Sequence, residues 1–322
     1  MDLGALVANE GFPPTTLMLA YGSGAVPLAG YANAKEQPML DLVLVVEDAV
    51  EWHRANIAIN RSHYSALALG GPNLITKAQR MAAGVYYNTL VPMKSSREGG
   101  GSRLMKYGVV SRVDLEDDLN SWRWLYLSGR LHKPVLLSAF NSDSLQSALR
   151  VNLSSSVRAA LLLLPAEFTR EDLYLAIAGL SYGGDLRMLF GENPDKVSNI
   201  VRPNLARFDD LYNPILKDFA EHCDWNVGSD ASTEKCSQDT SMATRRLLVE
   251  SLPSAVRFPS SDASPGKVLT NQLRSVVRKS SSIQSAKGIL TAGPVKSATY
   301  TGAKIGKWAA WQATKWSKRL RP

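Results

Sequence analysis

The chain has 322 residues, enough for about two domains with their own cores, and its 45% hydrophobic and 20% charged residues are typical of a globular protein. No apolar stretch approaches the ~20 residues that a membrane-spanning helix needs, and the two cysteines, Cys223 and Cys236, exclude a disulfide-rich scaffold and a CxxC site. The net charge of +8 is concentrated in a basic tail: Lys267–Pro322 contains twelve Lys or Arg and no Asp or Glu, whereas the rest of the chain contains 25 against 29.

Two predicted strands flank a glycine turn, Gly22–Gly24. Thr16–Tyr21 is an apolar run that leads into the turn, and Met39–Val46 is apolar on both faces except for Asp41. Such a run is typical of a fully buried strand, where a carboxylate needs a compensating charge such as a divalent metal. Two glycines flanking a serine let backbone N–H groups approach an anion. Taken singly, each feature also fits a plain turn or a satisfied aspartate. Together they favour a nucleotide held between the glycine turn and a metal on Asp41.

The next elements are predicted from periodicity and from glycine and proline breaks. They are helices at Val50–Asn60 and Pro72–Met81 and strands at Val85–Pro92 and Met105–Ser111. Lys106, in the last strand, is interpreted either as a phosphate ligand in the nucleotide cleft or as a solvated edge lysine. The polar cluster NRSHYS, which begins at Asn60, is interpreted either as a surface loop or as the lining of a cleft.

A basic cluster follows a predicted helix at Asp114–Leu131. Arg130, His132 and Lys133 lie in the segment SGRLHKPV, before another apolar run at Val135–Phe140. Three basic side chains at a helix end are partly explained by the helix dipole, and they are equally suited to binding a phosphate.

From Asn141 the periodicity becomes helical, which predicts a small second domain. Leu145–Leu164 is predicted as one long amphipathic helix, and Thr169 with Asp172 matches a capping box that opens another. Asp185 follows a Gly-Gly turn in LSYGGDLRM. That turn is interpreted either as an ordinary capped turn or as a loop that reaches over the cleft of the first domain.

The last third of the chain changes character. Glu221–Gly266 is rich in Ser, Asp and Thr, with few apolar residues apart from Arg245–Val256, and is predicted to be mostly a linker or surface excursion. The basic tail contains predicted helices at Ser281–Thr291 and Tyr300–Leu320. The second helix separates apolar residues from most of its lysines, which favours a helix lying in an anionic membrane surface, with docking on the protein itself as the alternative. Nucleic acid is not expected as a partner, because no nucleic-acid-binding module is recognisable.

Seven blocks, taken together and in order, resemble one known family. The blocks are YGSG, PMLD, EWH, NRSHYS, KYGVVS, SGRLHKPV and LSYGGDLRM. They are similar to those of the mitochondrial CDP-diacylglycerol synthases, or phosphatidate cytidylyltransferases, of the translocator assembly and maintenance type. The resemblance covers about Thr16–Leu216, is not seen over the predicted linker, and resumes at SIQSAKGILTAG.

The resemblance implies an α+β fold with a nucleotidyltransferase-like mixed-sheet domain (1–140) followed by a helical winged-helix-like domain (141–220). Composition and charge add the linker (221–266) and a basic, amphipathic, membrane-associating tail (267–322). It implies Mg²⁺-dependent transfer of CMP from CTP to phosphatidic acid, which gives CDP-diacylglycerol and pyrophosphate for cardiolipin and phosphatidylglycerol synthesis. It also implies a peripheral protein on the matrix side of the mitochondrial inner membrane, although the acidic amino terminus lacks the Arg-rich character of a presequence.

The same resemblance implies roles for individual residues. Asp41 is predicted to hold Mg²⁺. The other predicted ligands contact phosphate groups: Gly22, Ser23 and Gly24 in the glycine turn, and the basic residues Lys106, Arg130 and Lys133.

One departure from the wider nucleotidyltransferase pattern concerns the second carboxylate. That pattern places it two residues after the first, where this chain has Val43. Asp185 is the predicted replacement, and Asp114 is a weaker candidate. Two other functions stay open at this point: a non-catalytic membrane scaffold for assembling a protein translocase, and a nucleotidyltransferase that acts on another acceptor.

Overall fold

The computed structural model describes Leu3 and residues 9–26, 38–94, 103–138, 142–185, 195–225, 235–259 and 264–292. Within these residues the strands are β1 (Leu17–Tyr21), β2 (Leu40–Val46), β3 (Val85–Pro92), β4 (Leu104–Ser111), β5 (Leu136–Leu137), β6 (Glu167–Thr169), β7 (Cys223–Asp224) and β8 (Lys235–Gln238). The helices are α1 (Ala49–Ile59), α2 (Gly71–Arg80), α3 (Arg112–Ser121), α4 (Asp143–Leu163), α5 (Arg170–Gly179), α6 (Lys196–Val201), α7 (Leu205–Leu216), α8 (Met242–Glu250) and α9 (Pro265–Ala292). None of these helices combines the length and the apolar character needed to cross a membrane.

Five strands form one mixed sheet in the order β3-β4-β2-β1-β5. β2 and β4 run parallel, and the other neighbouring strands are antiparallel. The central strand β2 is apolar on both faces because helices cover both sides of the sheet. The predicted mixed α+β class is therefore confirmed, and the first two predicted strands match β1 and β2 to within one residue.

The two faces of this sheet have separate cores. On one face Leu42 and Leu44 pack with Trp52 of α1. On the other face Val43 and Val45 pack with residues of α3 and α4. Each fully buried aliphatic side chain stabilises the fold by roughly 1.5–3 kcal/mol, so the register of β2 is firmly fixed. That register decides that Asp41, two residues before Val43, lies on the α3 and α4 face.

Away from the two faces of the sheet, another core lies among α4, α5 and α7, and it is called the second core below. Three stacked or tilted rings, Tyr174, Phe208 and Tyr212, occupy its centre. The predicted capping box is confirmed, since Thr169 and Asp172 each satisfy the other's backbone N–H at the start of α5. Tyr212 also donates a hydrogen bond of 2.9 Å to the carbonyl of His132, which joins this core to the basic segment of the first domain.

The described part of Glu221–Gly266 differs from the expected linker. Strand β8 pairs with β6 on one side and with β7 on the other in a three-stranded antiparallel sheet, and α8 follows. Cys223, Trp225 and Cys236 are buried in the second core. Polar residues dominate this stretch because its strands are short and its outer side chains are solvated, so composition alone concealed the buried positions.

Part of the predicted membrane-associating tail is instead one 28-residue helix docked on the protein. Leu269, Leu273 and Val277 of α9 are buried against the core around Trp122, and Lys287 donates to the carbonyls of Gln79 and Met81 at the end of α2. The short helix expected at Ser281–Thr291 therefore starts much earlier, at Pro265. The amphipathic helix predicted at Tyr300–Leu320 lies outside the described residues.

The helix predicted at Asp114–Leu131 is shorter than expected. α3 ends at Ser121 because Trp122 adopts a left-handed conformation with φ of 55°. The buried carboxylate of Asp118 then accepts five backbone N–H groups, from Trp124 to Ser128, and the Ser128 hydroxyl. A single side chain thus replaces the hydrogen bonds that a continuing helix would have made.

Candidate active site

The glycine turn lies directly against Asp41 at the edge of the central sheet. Tyr21, the last residue of β1, is opposite Asp41 in the antiparallel register. Gly22 has φ of 73°, and a Cβ there would lie 3.4 Å from the Asp41 Oδ2 atom. The predicted association of the turn with this carboxylate is therefore present in the structure.

The glycine turn has the geometry of an anion cradle. A Cβ on Gly24 would lie only 2.4 Å from the carbonyl oxygen of Met39, so only glycine lets the turn approach β2 so closely. The carbonyl oxygen of Gly22 accepts hydrogen bonds from the N–H groups of Ala25 and Val26, at 3.0 and 2.9 Å. The N–H groups of Ser23 and Gly24 donate to no other described residue, which leaves them for a ligand.

Arg103 holds the glycine turn in place, a role that no sequence pattern indicated. Its Nη2 donates to the carbonyl of Gly24 at 2.6 Å, and its Nε donates to the carbonyl of Pro38 at 3.1 Å. Burial lowers the pKa of Arg103, but a guanidinium stays charged at any physiological pH. The turn is thus tied to the start of β2 by a permanent cation.

Asp41 and Lys106 face each other on parallel strands. They are register partners, and the Lys106 Nζ atom lies 3.9 Å from Asp41 Oδ1 and 4.4 Å from the centre of the Tyr87 ring. Their side chains are 24% and 14% exposed. An accessible pair at this distance contributes of the order of 1 kcal/mol or less, so a bound metal and phosphates would readily separate it. Lys106 is thus neither a solvated edge lysine nor far from the carboxylate.

Tyr21 is the hub that connects this pair to Arg130. Its hydroxyl lies 3.5 Å from that of Tyr87, and the Arg130 guanidinium stacks on Tyr21 at 5.2 Å and on Tyr126 at 4.0 Å. Burial raises the pKa of Tyr21, and Lys106 and Arg130 partly oppose this rise by their positive charge. Stacked rings hold both cations beside Asp41 without neutralising them.

Lys133 lies further from the sheet, where the basic segment meets the second core. Its Nζ donates to the Ser181 hydroxyl at 3.0 Å and to the carbonyl of Gly129, and it lies 5.1 Å above the ring of Tyr182. Burial lowers the pKa of Lys133 to about 7, and the charges of Arg130 and Lys196 add to the effect. A partly buried cation without a described carboxylate partner is suited to receive an anion.

The neighbouring His132 has a structural role. It is buried, and its Nε2 lies 3.0 Å from the Oδ1 atom of Asn152, which also accepts the indole N–H of Trp122. Burial, with the charge of Lys133, lowers the pKa of His132 to about 3, so it is neutral at physiological pH. Of the two interpretations of the basic segment, helix dipole or phosphate binding, neither describes His132, which is a neutral residue of the interior.

The two candidates for a second carboxylate differ in position. Asp114 lies past the far end of β4, at least five residues along the sheet from the level of Asp41, or about 16 Å, and hydrogen-bonds Ser111. It cannot share a metal with Asp41. Asp185 is buried at the end of the Gly-Gly turn, where a Cβ on Gly184 would lie 2.7 Å from the carbonyl of Arg274 in α9. Its role as a metal ligand stays a prediction.

The NRSHYS block is divided between surface and interior, since Arg61 and Ser62 are exposed and three of its other side chains are buried away from the cleft. Asn60, His63 and Tyr64 are buried on the opposite face of the sheet. Tyr107 lies 3.0 Å from the Nδ1 atom of His63 and accepts the Asn56 amide at 3.0 Å. Side chains of this network satisfy one another, which explains its polarity without a ligand.

The donor set around Asp41 fits Mg²⁺ better than a zinc ion. Among the described residues no three His, Cys, Asp or Glu side chains come together as a metal cage. Mg²⁺ is commonly held by one or two carboxylates with water and substrate phosphates, whereas a zinc site needs three or four protein ligands. One partly exposed carboxylate beside an anion cradle matches the first arrangement.

Several residues that build the candidate site were given no role in it by the sequence interpretation. They are Arg103, Tyr21, Tyr87, Tyr126 and Ser181. Their roles depend on contacts between segments far apart in the chain, which periodicity and spacing do not report. The aromatic residue next to Gly22 was the one available signal, since cations often stack on rings beside phosphate sites.

Comparison with known proteins gives one consistent family. A family model described as "Phosphatidate cytidylyltransferase, mitochondrial" matches residues 8–264 and 258–307. Proteins of that name are similar over nearly the whole chain: one from Xenopus laevis is 44% identical, covering 91% of this chain and 90% of its own. The Danio rerio protein is 42% identical, covering 92% of each chain, and the Drosophila melanogaster protein is 39% identical, covering 94% and 96%. The match includes residues 221–264, so the gap expected over the linker is not found.

Proposed function

The chain belongs to the mitochondrial phosphatidate cytidylyltransferase family, and from this premise we propose how its residues transfer CMP from CTP to phosphatidic acid. The products are CDP-diacylglycerol, a precursor of cardiolipin and phosphatidylglycerol, and pyrophosphate. One observation carries the assignment of the site: the glycine turn, with two available N–H groups, lies against the carboxylate of Asp41.

CTP binds with its β- and γ-phosphates in the glycine turn. The N–H groups of Ser23 and Gly24 donate to the phosphate oxygens, and Arg103 keeps the turn in place. Lys106 leaves Asp41 for the triphosphate, because a phosphate carries more negative charge than one carboxylate. Arg130, held by the rings of Tyr21 and Tyr126, offsets the charge that develops on the transferred group.

Asp41 is the residue that would hold Mg²⁺. When bound, this ion would offset negative charge on the triphosphate and on the leaving pyrophosphate. Asp41 keeps its carboxylate directed at the turn because its strand partners fix the backbone on both sides. Asp185 is our candidate for a second protein ligand of this ion, and phosphate oxygens of the substrate would supply further ligands.

The acceptor is the phosphate of phosphatidic acid, whose oxygen attacks the α-phosphorus of CTP as the bond to pyrophosphate breaks. A phosphate monoester is already nucleophilic at neutral pH, so the site needs no strong general base. Lys133 is placed to hold this phosphate, because it lies at the junction of the two cores beside Tyr182 and Lys196. Binding there keeps the lipid phosphate close to the nucleotide cleft.

We also infer the finer architecture and location from the family. The five-stranded sheet is the nucleotidyltransferase-like part, and α4–α7 with the β6-β8-β7 sheet support a winged-helix-like part. The relatives are named as mitochondrial, which supports a mitochondrial location. A peripheral attachment to the matrix side of the inner membrane, through the basic residues after α9, is consistent with the excess of positive charge in that part of the chain.

Product formation tests the proposed function. Purified protein is incubated with CTP, Mg²⁺ and vesicles that contain phosphatidic acid, and CDP-diacylglycerol is measured by mass spectrometry. We expect product that requires all three additions, with pyrophosphate released in equal amount. Absence of product from folded protein would contradict the proposal and would favour the alternative role, a non-catalytic membrane scaffold.

A further inference from the structure

A basic cavity, separate from the candidate active site, lies on the far side of α4 from the sheet. It has a volume of ≈ 360 Å³ and opens to solvent between the ends of α3 and α8. Arg150, Arg158 and Arg257 line it, together with the buried Ser154 and Ser155. None of these residues takes part in the nucleotide or phosphatidate binding described above.

Two elements of the fold, α4 and the turn after α8, bring the three arginines of this cavity together. Arg150, Ser154 and Arg158 are spaced by four residues, so they lie along one stripe of α4. Arg257 comes from the turn after α8, where its Nε and Nη2 atoms donate to the carbonyl of Leu252 at 3.0 and 2.8 Å. These two contacts fix the guanidinium and leave its remaining N–H groups for another acceptor.

Among the residues that the structure describes, Asp218 is the one carboxylate with a recorded interaction with an arginine of the cavity. Asp218 pairs with Arg150 at 2.6 Å and is the carboxylate that also acts on Arg158. Burial lowers the pKa of Arg158, and its guanidinium lies 5.4 Å from the ring of Phe219. A partly buried guanidinium of this kind gains from an incoming anion, which restores the interactions that it lost with water.

Apolar side chains border the cavity. Val151 lines it and is 42% exposed, and Leu247 lies one helical turn before the lining residue Ser251 and is 53% exposed. Forked guanidinium donors are well matched to phosphate oxygens, and exposed apolar neighbours suit a phosphate that carries hydrocarbon.

We propose that the cavity lined by Arg150, Arg158 and Arg257 is a second phosphate-binding site, separate from the catalytic cleft. Its ligand is a phosphate group, either the headgroup of an anionic phospholipid or a free phosphate. Binding there would attach the protein to an anionic membrane, or respond to soluble phosphate, through residues of the folded body and independently of the basic tail.

The test uses the full chain with the double variant Arg158→Gln and Arg257→Gln. The matched control is Lys77→Gln with Arg80→Gln, which removes the same charge from the exposed side of α2. One arm measures sedimentation with phosphatidylcholine vesicles with and without phosphatidylglycerol, which is not a substrate. The other arm measures inorganic phosphate binding by calorimetry. Circular dichroism checks the fold, and Arg150→Gln at the exposed rim is the second variant in case the double variant unfolds.

We expect about tenfold weaker binding in one arm for the cavity variants and no comparable change for the control, equivalent to ~1.4 kcal/mol. Loss in the vesicle arm alone identifies a lipid headgroup, and loss in the phosphate arm identifies a free anion. If cavity and control variants match the unaltered protein in both arms, or lose binding equally, the second site does not exist.

Discussion

The two faces of the central sheet both carry polar side chains, but they differ in how those side chains are satisfied. On the α1 face, His53, Asn56 and Tyr64 hydrogen-bond one another at 2.8 Å and exclude solvent. On the other face, Asp41 and Lys106 remain partly exposed and 3.9 Å apart. The named side chains of the first cluster pair with one another, although the neighbouring Gln79 Nε2 has no partner among the described residues, whereas the second has charges and N–H groups that a nucleotide would complete.

This contrast explains why polarity in the sequence was a poor guide to the active site. Burial lowers the pKa of His53 to about 4, despite its hydrogen bond to Gln79, so this histidine is a neutral structural residue. On the opposite face, the proposed active site consists of a carboxylate, cations held by aromatic rings, and backbone N–H groups. The following predictions test that division.

The largest effect is expected from Asp41→Asn. This change keeps the shape of the side chain and removes the charge that holds the metal, so turnover should fall by roughly a thousandfold or more. The melting temperature should change little, because the ion pair with Lys106 is weak. Asp117→Asn, an exposed position on α3, is the control and should retain full activity. Near-normal turnover in Asp41→Asn protein would remove the metal from this residue.

Ser23→Leu should abolish most CTP binding. A leucine in the glycine turn fills the space that the phosphates need, and we expect about a hundredfold loss of affinity by calorimetry. Ser23→Ala keeps the backbone N–H groups and adds no bulk, so its affinity should stay within a few-fold of the original. Equal affinities in the two variants would place the nucleotide elsewhere.

Lys133 should affect the lipid substrate and should do so in a pH-dependent manner. Its pKa is lowered to about 7, so the cation is lost as pH rises through that value and its hold on phosphate weakens. We expect Lys133→Ala to raise the KM for phosphatidic acid by about tenfold below that pH, with a smaller change for CTP. Between about pH 6 and about pH 8, Lys133→Arg should lack the added rise in KM seen with lysine, since arginine stays charged. A change in the KM for CTP alone would assign Lys133 to the triphosphate.

The smallest effect on activity is expected on the opposite face. Tyr107→Phe removes the hydroxyl that accepts from Asn56 and lies 3.0 Å from His63, which should lower the free energy of unfolding by about 1–3 kcal/mol. Chemical denaturation measures this loss, and turnover below the unfolding transition should remain near normal. Lost turnover with unchanged stability would show that this face takes part in the reaction.

The sequence predicted the local part of this site and missed the part that depends on distant contacts. Strand β2, its aspartate and the glycine turn were predictable because apolar runs and glycines act over a few residues. Arg103 was missed because its role is to donate hydrogen bonds to the carbonyls of Gly24 and Pro38, which are far from it in the sequence. The end of α3 was missed because Asp118 replaces helical hydrogen bonds by a side-chain contact, which no propensity describes.

The proposed site depends most on the position of the CTP phosphates, between the glycine turn and Asp41. Mn²⁺ in place of Mg²⁺ broadens nearby NMR signals steeply with distance, and ¹³C-labelled tyrosine rings report from both cores. With Mn²⁺ and CTP bound, the signals of Tyr21 and Tyr87 should broaden first and those of Tyr174 and Tyr212, in the second core, should stay sharp. The Asp41→Asn variant should lose the selective broadening. Broadening that begins at Tyr174 or Tyr212, or that is unchanged in the variant, would contradict the site.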